Sequence, residues 1–204
     1  MGLIGIRLSG RKCRGTSPAG TIKELRGTAV VQRNGRSIAA TPAMPILAGD
    51  KLETSPQSTV TIGLIDGGEL ILSEASSVLI DHTLTSAAGS TIELFKGKLR
   101  SLVNIAAGDL RRFEIQTPNA VASVRGTDLE TEYIEGKPCP GFPQCLRYTD
   151  IGVYKGIVEV RNPTSLRSIS VRVAAGYETT VPCELPPATP GPLRIGDLTA
   201  PGYD

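Results

Sequence analysis

Thr59-Val60-Thr61-Ile62-Gly63-Leu64-Ile65-Asp66-Gly67-Gly68-Glu69-Leu70-Ile71-Leu72 is the stretch that decides the fold class. Val60, Ile62 and Leu64 fall on one side of a chain of period two, the alternation of a half-buried strand. Asp66-Gly67-Gly68 then supplies the backbone freedom a tight reversal needs, and a second apolar run follows at once. The segment reads as a hairpin of two short strands.

The same grammar recurs outward from it. Ser77–Ile80 is strand-like, and Thr91–Phe95 turns at Lys96-Gly97 into Lys98–Val103. Phe113–Thr117 stops at Pro118-Asn119, a turn pair. Val121–Val124, Leu129–Tyr133, Gly152–Val160, Ile169–Val173 and Glu178–Val181 follow. Composition agrees: Ile, Val and Thr are 49 of the 204 residues, with 23 Gly and 15 Pro. β-branched residues suit pleated surfaces, and frequent Gly and Pro cut a chain into short pieces. The expected class is all-β.

Spacing refines the class. Gly67, Gly97, Gly126 and Gly156 each follow an apolar-x pair and stand 30, 29 and 30 residues apart. Regular spacing is how stacked architectures announce themselves. The expected fold is therefore a short-strand β-solenoid-like or double-layered β-roll stack, with a β-sandwich as the alternative.

Other properties narrow function. Charged residues are 21% and apolar ones 40%, with a net charge of +2, so the chain is neither disordered nor a membrane protein. No run approaches the roughly 18 apolar residues of a membrane span. Aromatics are 4% with no Trp, and basic residues such as Arg33, Arg36, Arg111 and Arg112 are scattered, read as soluble surface; no nucleic-acid footprint is expected. Residues 1–24 read as a flexible leader: Met1–Leu8 is apolar, but Arg11, Lys12 and Arg14 follow it, the reverse of a secretory signal. The β domain is expected at 25–184. Pro186–Pro192 opens a Pro-rich linker and tail over 185–204.

The four cysteines are Cys13, Cys139, Cys145 and Cys183. Cys139–Cys145 encloses a Pro/Gly loop that would close as a small disulfide ring if the chain is exported, leaving Cys13 as the candidate for Cys183. If the chain is cytosolic, these are free thiols. Zinc needs CxxC pairs or more histidines, and His82 stands alone. A hydrolase triad fails on the same count. Asp128, Glu130 and Glu132 alternate and so share a face, read as solvated, with a calcium-type cation as the minor alternative. No phosphate loop or nucleophile elbow occurs. No enzyme activity, cofactor or metal is expected.

The order of motifs resembles the FecR domain family. It runs through Gly27–Val31, Ala48–Thr54, Leu64–Leu70 and Leu94–Leu99. Its most telling stretch is Phe113-Glu114-Ile115-Gln116-Thr117-Pro118-Asn119-Ala120-Val121-Ala122-Ser123-Val124-Arg125-Gly126-Thr127-Asp128-Leu129, and Gly152–Val160 and Val173–Val181 close it. The similarity covers about residues 25–182. It implies an all-β, solenoid-like domain on the periplasmic or extracellular side, which in well-known members follows a cytoplasmic anti-sigma segment and one membrane helix. This sequence holds neither, so the resemblance implies a stand-alone copy with no visible export signal. The motif residues read as fold-determining turns: Gly49-Asp50, Asp66-Gly67, Gly97, Gly126-Thr127, Gly156 and Gly176, with Asp50 and Thr127 bonding backbone at their corners. Function is expected to be signal sensing or relay through a protein partner, an envelope receptor or other envelope protein. A structural or adhesion-type envelope module is the alternative.

Overall fold

The computed structural model describes residues 17–81, 89–104, 113–167 and 169–194. Among the described residues there is no helix, and none long and apolar enough to cross a membrane. The fold is all-β and open rather than a closed barrel. Its strands are β1 (Pro18–Arg26), β2 (Ala29–Arg33), β3 (Arg36–Ala39), β4 (Pro45–Leu47), β5 (Asp50–Thr54), β6 (Thr59–Leu64), β7 (Glu69–Leu72) and β8 (Ser77–Asp81). They continue as β9 (Ser90–Leu102), β10 (Phe113–Gln116), β11 (Val121–Val124), β12 (Asp128–Glu135) and β13 (Arg147–Lys155). The last are β14 (Ile157–Arg161), β15 (Ser170–Ala174), β16 (Tyr177–Pro182) and β17 (Gly191–Pro192).

These strands form two layers. The first runs β4-β1-β6-β7-β9-β12-β13-β16-β17. The second runs β3-β2-β5-β8-β9-β10-β11-β14-β15. Strand β9 belongs to both. Its first half pairs with β8 and, in parallel, with β10; its second half pairs with β7 and β12. Period-two alternation puts one row of each layer inward, as in β6, where Val60, Ile62 and Leu64 are buried. Ile22, Ile62, Leu70, Leu99, Leu129 and Val153 of the first layer meet Val31, Leu52, Val78, Ile92, Ile115 and Val158 of the second in one core. Each such side chain contributes about 1.5–3 kcal/mol by leaving water.

Passage between layers follows one rule. Each of the nine crossings among the described residues holds one residue with positive φ: Gly27, Ala43, Gly49, Gln57, Ala75, Gly97, Gly126, Gly156 and Gly176. A left-handed residue redirects the chain sharply without a long loop. Gly67 has positive φ too, but it sits in the β6–β7 hairpin inside one layer. Gly97 also lies at the opposite end of the stack from Gly126, since Gly97 faces Tyr133 while Asp128 faces Leu102. The thirty-residue spacing of glycines therefore joins inequivalent positions; the repeating unit is the crossing, which three times lacks a glycine.

Both expected domain limits shift. Strand β1 begins at Pro18, inside the supposed leader, and Ile22 is fully buried. A bulge between Ile22 and Glu24 puts the strand out of phase with itself, which hides its alternation from a period-two reading. At the other end the Pro-rich segment is not loose beyond Glu184. Ala188 N–H donates to Thr180 O (2.8 Å), Thr179 Oγ1 to Ala188 O (2.7 Å) and Leu193 N–H to Gly176 O (2.9 Å). Residues 188–193 lie along β16.

Candidate functional site

Most of the turn and motif residues serve the fold. Asp50 is buried, and its carboxylate accepts from Leu47 N–H (2.8 Å) and from Arg33, 2.8 Å to Nε and 2.5 Å to the other guanidinium nitrogen. Arg33 is thus a structural partner and not the isolated surface charge its neighbours in sequence suggest. Asp66 Oδ1 accepts from Gly68 N–H across the hairpin (3.0 Å). Gly97 has no room for a side chain: a Cβ there would stand 2.1 Å from Ser76 Oγ and 2.8 Å from Ser76 Cα. At Gly156 it would stand 2.6 Å from Thr127 Cγ2. At Gly49, Gly126 and Gly176 it would meet nothing within 4 Å, so φ alone favours glycine there. Thr127 does not bond corner backbone through its side chain. Its hydroxyl has no hydrogen-bond partner among the described residues, because its methyl group is turned under Gly156.

Thr117, Asn119 and Thr149 form a buried clamp. The two threonine hydroxyls stand 2.7 Å apart, Thr149 Oγ1 donates to Asn119 Oδ1 (2.7 Å), and Asn119 Nδ2 donates to Val181 O (2.7 Å). The β10–β11 turn is thereby tied to β13 and β16 across the layers.

The outward face of the first layer is charged. Asp128, Glu130 and Glu132 share it, but they are half-buried or nearly so and engaged, not simply solvated. Arg100 grips Asp128 with two bonds (3.1 and 3.0 Å) and lies 4.7 Å over the Tyr154 ring. Lys98 Nζ is 3.2 Å from Glu130 and 3.2 Å from Glu132. Burial, with Glu130 nearby, pushes the Tyr154 phenol up to about 12. Half-buried Asp150 takes a bond from Thr180 Oγ1 (2.5 Å), yet desolvation, with Glu132 and Glu178 adding repulsion, raises its carboxyl above the ordinary range. Among the described residues no three His, Cys, Asp or Glu are grouped to hold a metal ion.

The outward face of the second layer is different. Arg125, Ile157, Glu159, Arg161 and Arg172 line a shallow concavity over β11, β14 and β15. Its carboxylates are occupied by neutral donors: Ser170 Oγ to Glu159 (2.7 Å), and Gln116 Nε2 (3.0 Å) and Ser123 Oγ (3.3 Å) to Glu114. Cross-strand register alone assembles this set.

The cysteines pair differently from the expected ring. The bridge is Cys145–Cys183, with Cα atoms 5.7 Å apart, and Cys139 is free and buried. Backbone bonds already close the 139–145 loop (Cys139 N–H to Cys145 O, 2.8 Å; Cys145 N–H to Phe142 O, 2.8 Å). Pairing of β13 with β16 then brings Cys183 N–H to Arg147 O (3.0 Å), two residues from Cys145. Cys139 packs against the bridge, and desolvation pushes its thiol up. Cys13, His82 and Arg111-Arg112 lie outside the described residues.

Two crystal structures of a candidate anti-sigma factor from Parabacteroides distasonis are similar to this chain, each at TM-score 0.52 and 18% identity. The match covers 65% of this chain and 54% of that one, so this chain spans about half that protein's length. Identity this low establishes a shared fold. No curated protein matches the sequence. The family described as FecR protein matches residues 50–140, the span from β5 through β12 that holds the Gly97 corner, the Thr117–Asn119 turn and the Asp128 face. Over that span the chain is similar to the FecR family.

Proposed function

We propose that the chain is a non-catalytic extracytoplasmic module that senses or relays a signal by contact with a protein of the cell envelope. The FecR match at residues 50–140 carries this reading. The Cys145–Cys183 bridge supports an oxidising compartment, since structural disulfides persist there and are rare in a reducing cytosol. The neighbour described as a candidate anti-sigma factor supports the signalling side. Two broad, open sheet faces suit recognition of another protein rather than enclosure of a small substrate.

The test uses the full chain in its native host. Photo-crosslinking residues placed at Glu130 and Glu159, one on each outward face, are expected to trap a defined envelope protein. Removing the gene is expected to change a coherent set of transcripts. A crosslinked partner with an unchanged transcript profile would move the assignment to a structural or adhesion module. Recovery of the chain in the cytosol with reduced cysteines would sink both readings.

A further inference from the structure

We propose that the open edge of β15 receives an extended acidic segment of a partner protein as one more strand of the second layer. The proposal rests on the interaction reading above and names the chemistry of the partner. Among the described residues β15 pairs with β14 alone. The phase of that pairing is fixed by Ala175 N–H donating to Gly156 O (3.0 Å). Bonded and non-bonded pairs alternate along an antiparallel ladder, so Val173 and Val171 bond to β14 while Ser170, Arg172 and Ala174 turn their N–H and C=O groups to the open side. An incoming strand finds backbone partners there, the main source of affinity in strand addition.

Side chains set what that strand must carry. Ser170, Arg172 and Ala174 stand on the outward face in register with Arg161, Glu159 and Ile157 of β14, and Arg125, just past the end of β11, lines the same concavity as Ile157. Arg33 and Arg100 each hold a carboxylate in a two-bond grip elsewhere in the protein. Arg125, Arg161 and Arg172 have no ion pair among the described residues, although they share one concavity. A guanidinium fork fits a carboxylate, and carboxylates on an added strand complete the set. Ser170 and Ala174 are small. A Glu opposite Ser170 reaches over it to Arg161, a Glu opposite Arg172 meets it directly, and an apolar residue opposite Ala174 reaches Ile157, which is 58% exposed. On a strand that runs parallel to β15, the pattern recognised is Glu-x-Glu-x-apolar in extended form.

The probe is a fluorescent peptide, Thr-Glu-Val-Glu-Val-Leu-Thr, titrated by anisotropy against the oxidised full chain at low salt. Saturable binding is expected. It should weaken tenfold or more with Lys in place of both Glu, and likewise with the Arg161→Glu/Arg172→Glu protein, whose exposed positions leave the fold intact by circular dichroism. N-methylation of the peptide backbone on one set of alternate residues should abolish binding, while methylation of the other set leaves it unchanged. Equal binding by the charge-reversed protein, equal effects of the two methylated peptides, or no saturation at millimolar peptide would each overturn the proposal. So would a dimer of the chain itself that Arg172→Glu dissolves, since the edge would then belong to a second copy. A partner crosslinked through Glu130 but never through Glu159 would refute this surface and leave the wider function standing.

Discussion

Gly97 is where the corner rule can be measured. It is the point at which β9 leaves one layer for the other, with φ of +83° and Ser76 pressed against it. Replacing it with Ala adds three costs. Holding an L-residue in the left-handed region costs about 1–2 kcal/mol. Forcing a methyl group into a site where Ser76 Cα is 2.8 Å away costs about 1–3 kcal/mol in displaced packing. Moving Ser76 also strains its bonds, which run from Lys98 N–H to Ser76 Oγ and from that hydroxyl to Glu74 O (both 2.9 Å), at about 1 kcal/mol. The sum is about 3–6 kcal/mol, or a fall in Tm on the order of 10 °C for a domain of this size. Gly176→Ala is the control, because its φ is +82° but its Cβ would meet nothing. It carries only the conformational cost, about 0.5–1.5 kcal/mol once the stiffer unfolded chain is counted. Urea unfolding followed by circular dichroism, with disulfide intact and equal m-values, gives both numbers. The backbone terms are common to the pair, so their difference, about 2–4 kcal/mol, isolates the contact. Equal losses at the two positions would refute the claim that close approach, and not φ alone, reserves Gly97 for glycine.

Three further outcomes are expected. Gln57→Gly should raise stability by about 0.5–1 kcal/mol in the same urea assay, because it relieves a non-glycine corner at φ 56° by more than the added chain entropy removes. Asp150→Asn should be more stable than the parent at neutral pH, with the gain vanishing below the ordinary carboxylate range. The folded carboxyl has the higher pKa, so the native state binds its proton more tightly, and the parent loses stability as pH rises through the raised value; parallel stability curves for the two proteins would contradict this. Cys183→Ser should cost about 3–4 kcal/mol for a bridge spanning 38 residues, and tryptic mass mapping of the oxidised chain should find the 126–147 fragment linked to 173–194 even in Cys139→Ser.

Local pattern carried much of the fold into the sequence. The alternation of β6 and of β12 was legible because neither strand is interrupted, and it correctly places Asp128, Glu130 and Glu132 on one face. What failed to show was either out of phase or non-local. The bulge after Ile22 concealed β1. The corners at Ala43, Gln57 and Ala75 have no glycine to mark them, because surrounding pairings such as Thr54 N–H to Ser76 O and Ala75 N–H to Ser55 O hold them in place. Cys145 meets Cys183 only through the β13–β16 register, which nothing near either cysteine encodes. The arginine set is the extreme case: positions 125, 161 and 172 converge only after β11, β14 and β15 have paired.

That last point bears on where partner choice resides. Within residues 50–140 the recognisable motif residues are used up by structure: Asp50 closes a turn, Gly97 and Gly126 turn corners, Thr117 and Asn119 clamp the layers, and Asp128 holds Arg100. Changing any of them alters the fold before it alters a surface. Strands β13 to β16 lie beyond that span and extend both layers from one side, each new strand resting on the one before. A stack of this kind grows at its end without repacking what lies beneath. The terminal strand of the second layer is free to present Arg172 and its neighbours at no cost to the strands beneath it, and an edge is also the one place where a further strand can join. Placing recognition at the growing end separates the two demands on the chain: the corners hold the stack, and the last strand selects what is added to it.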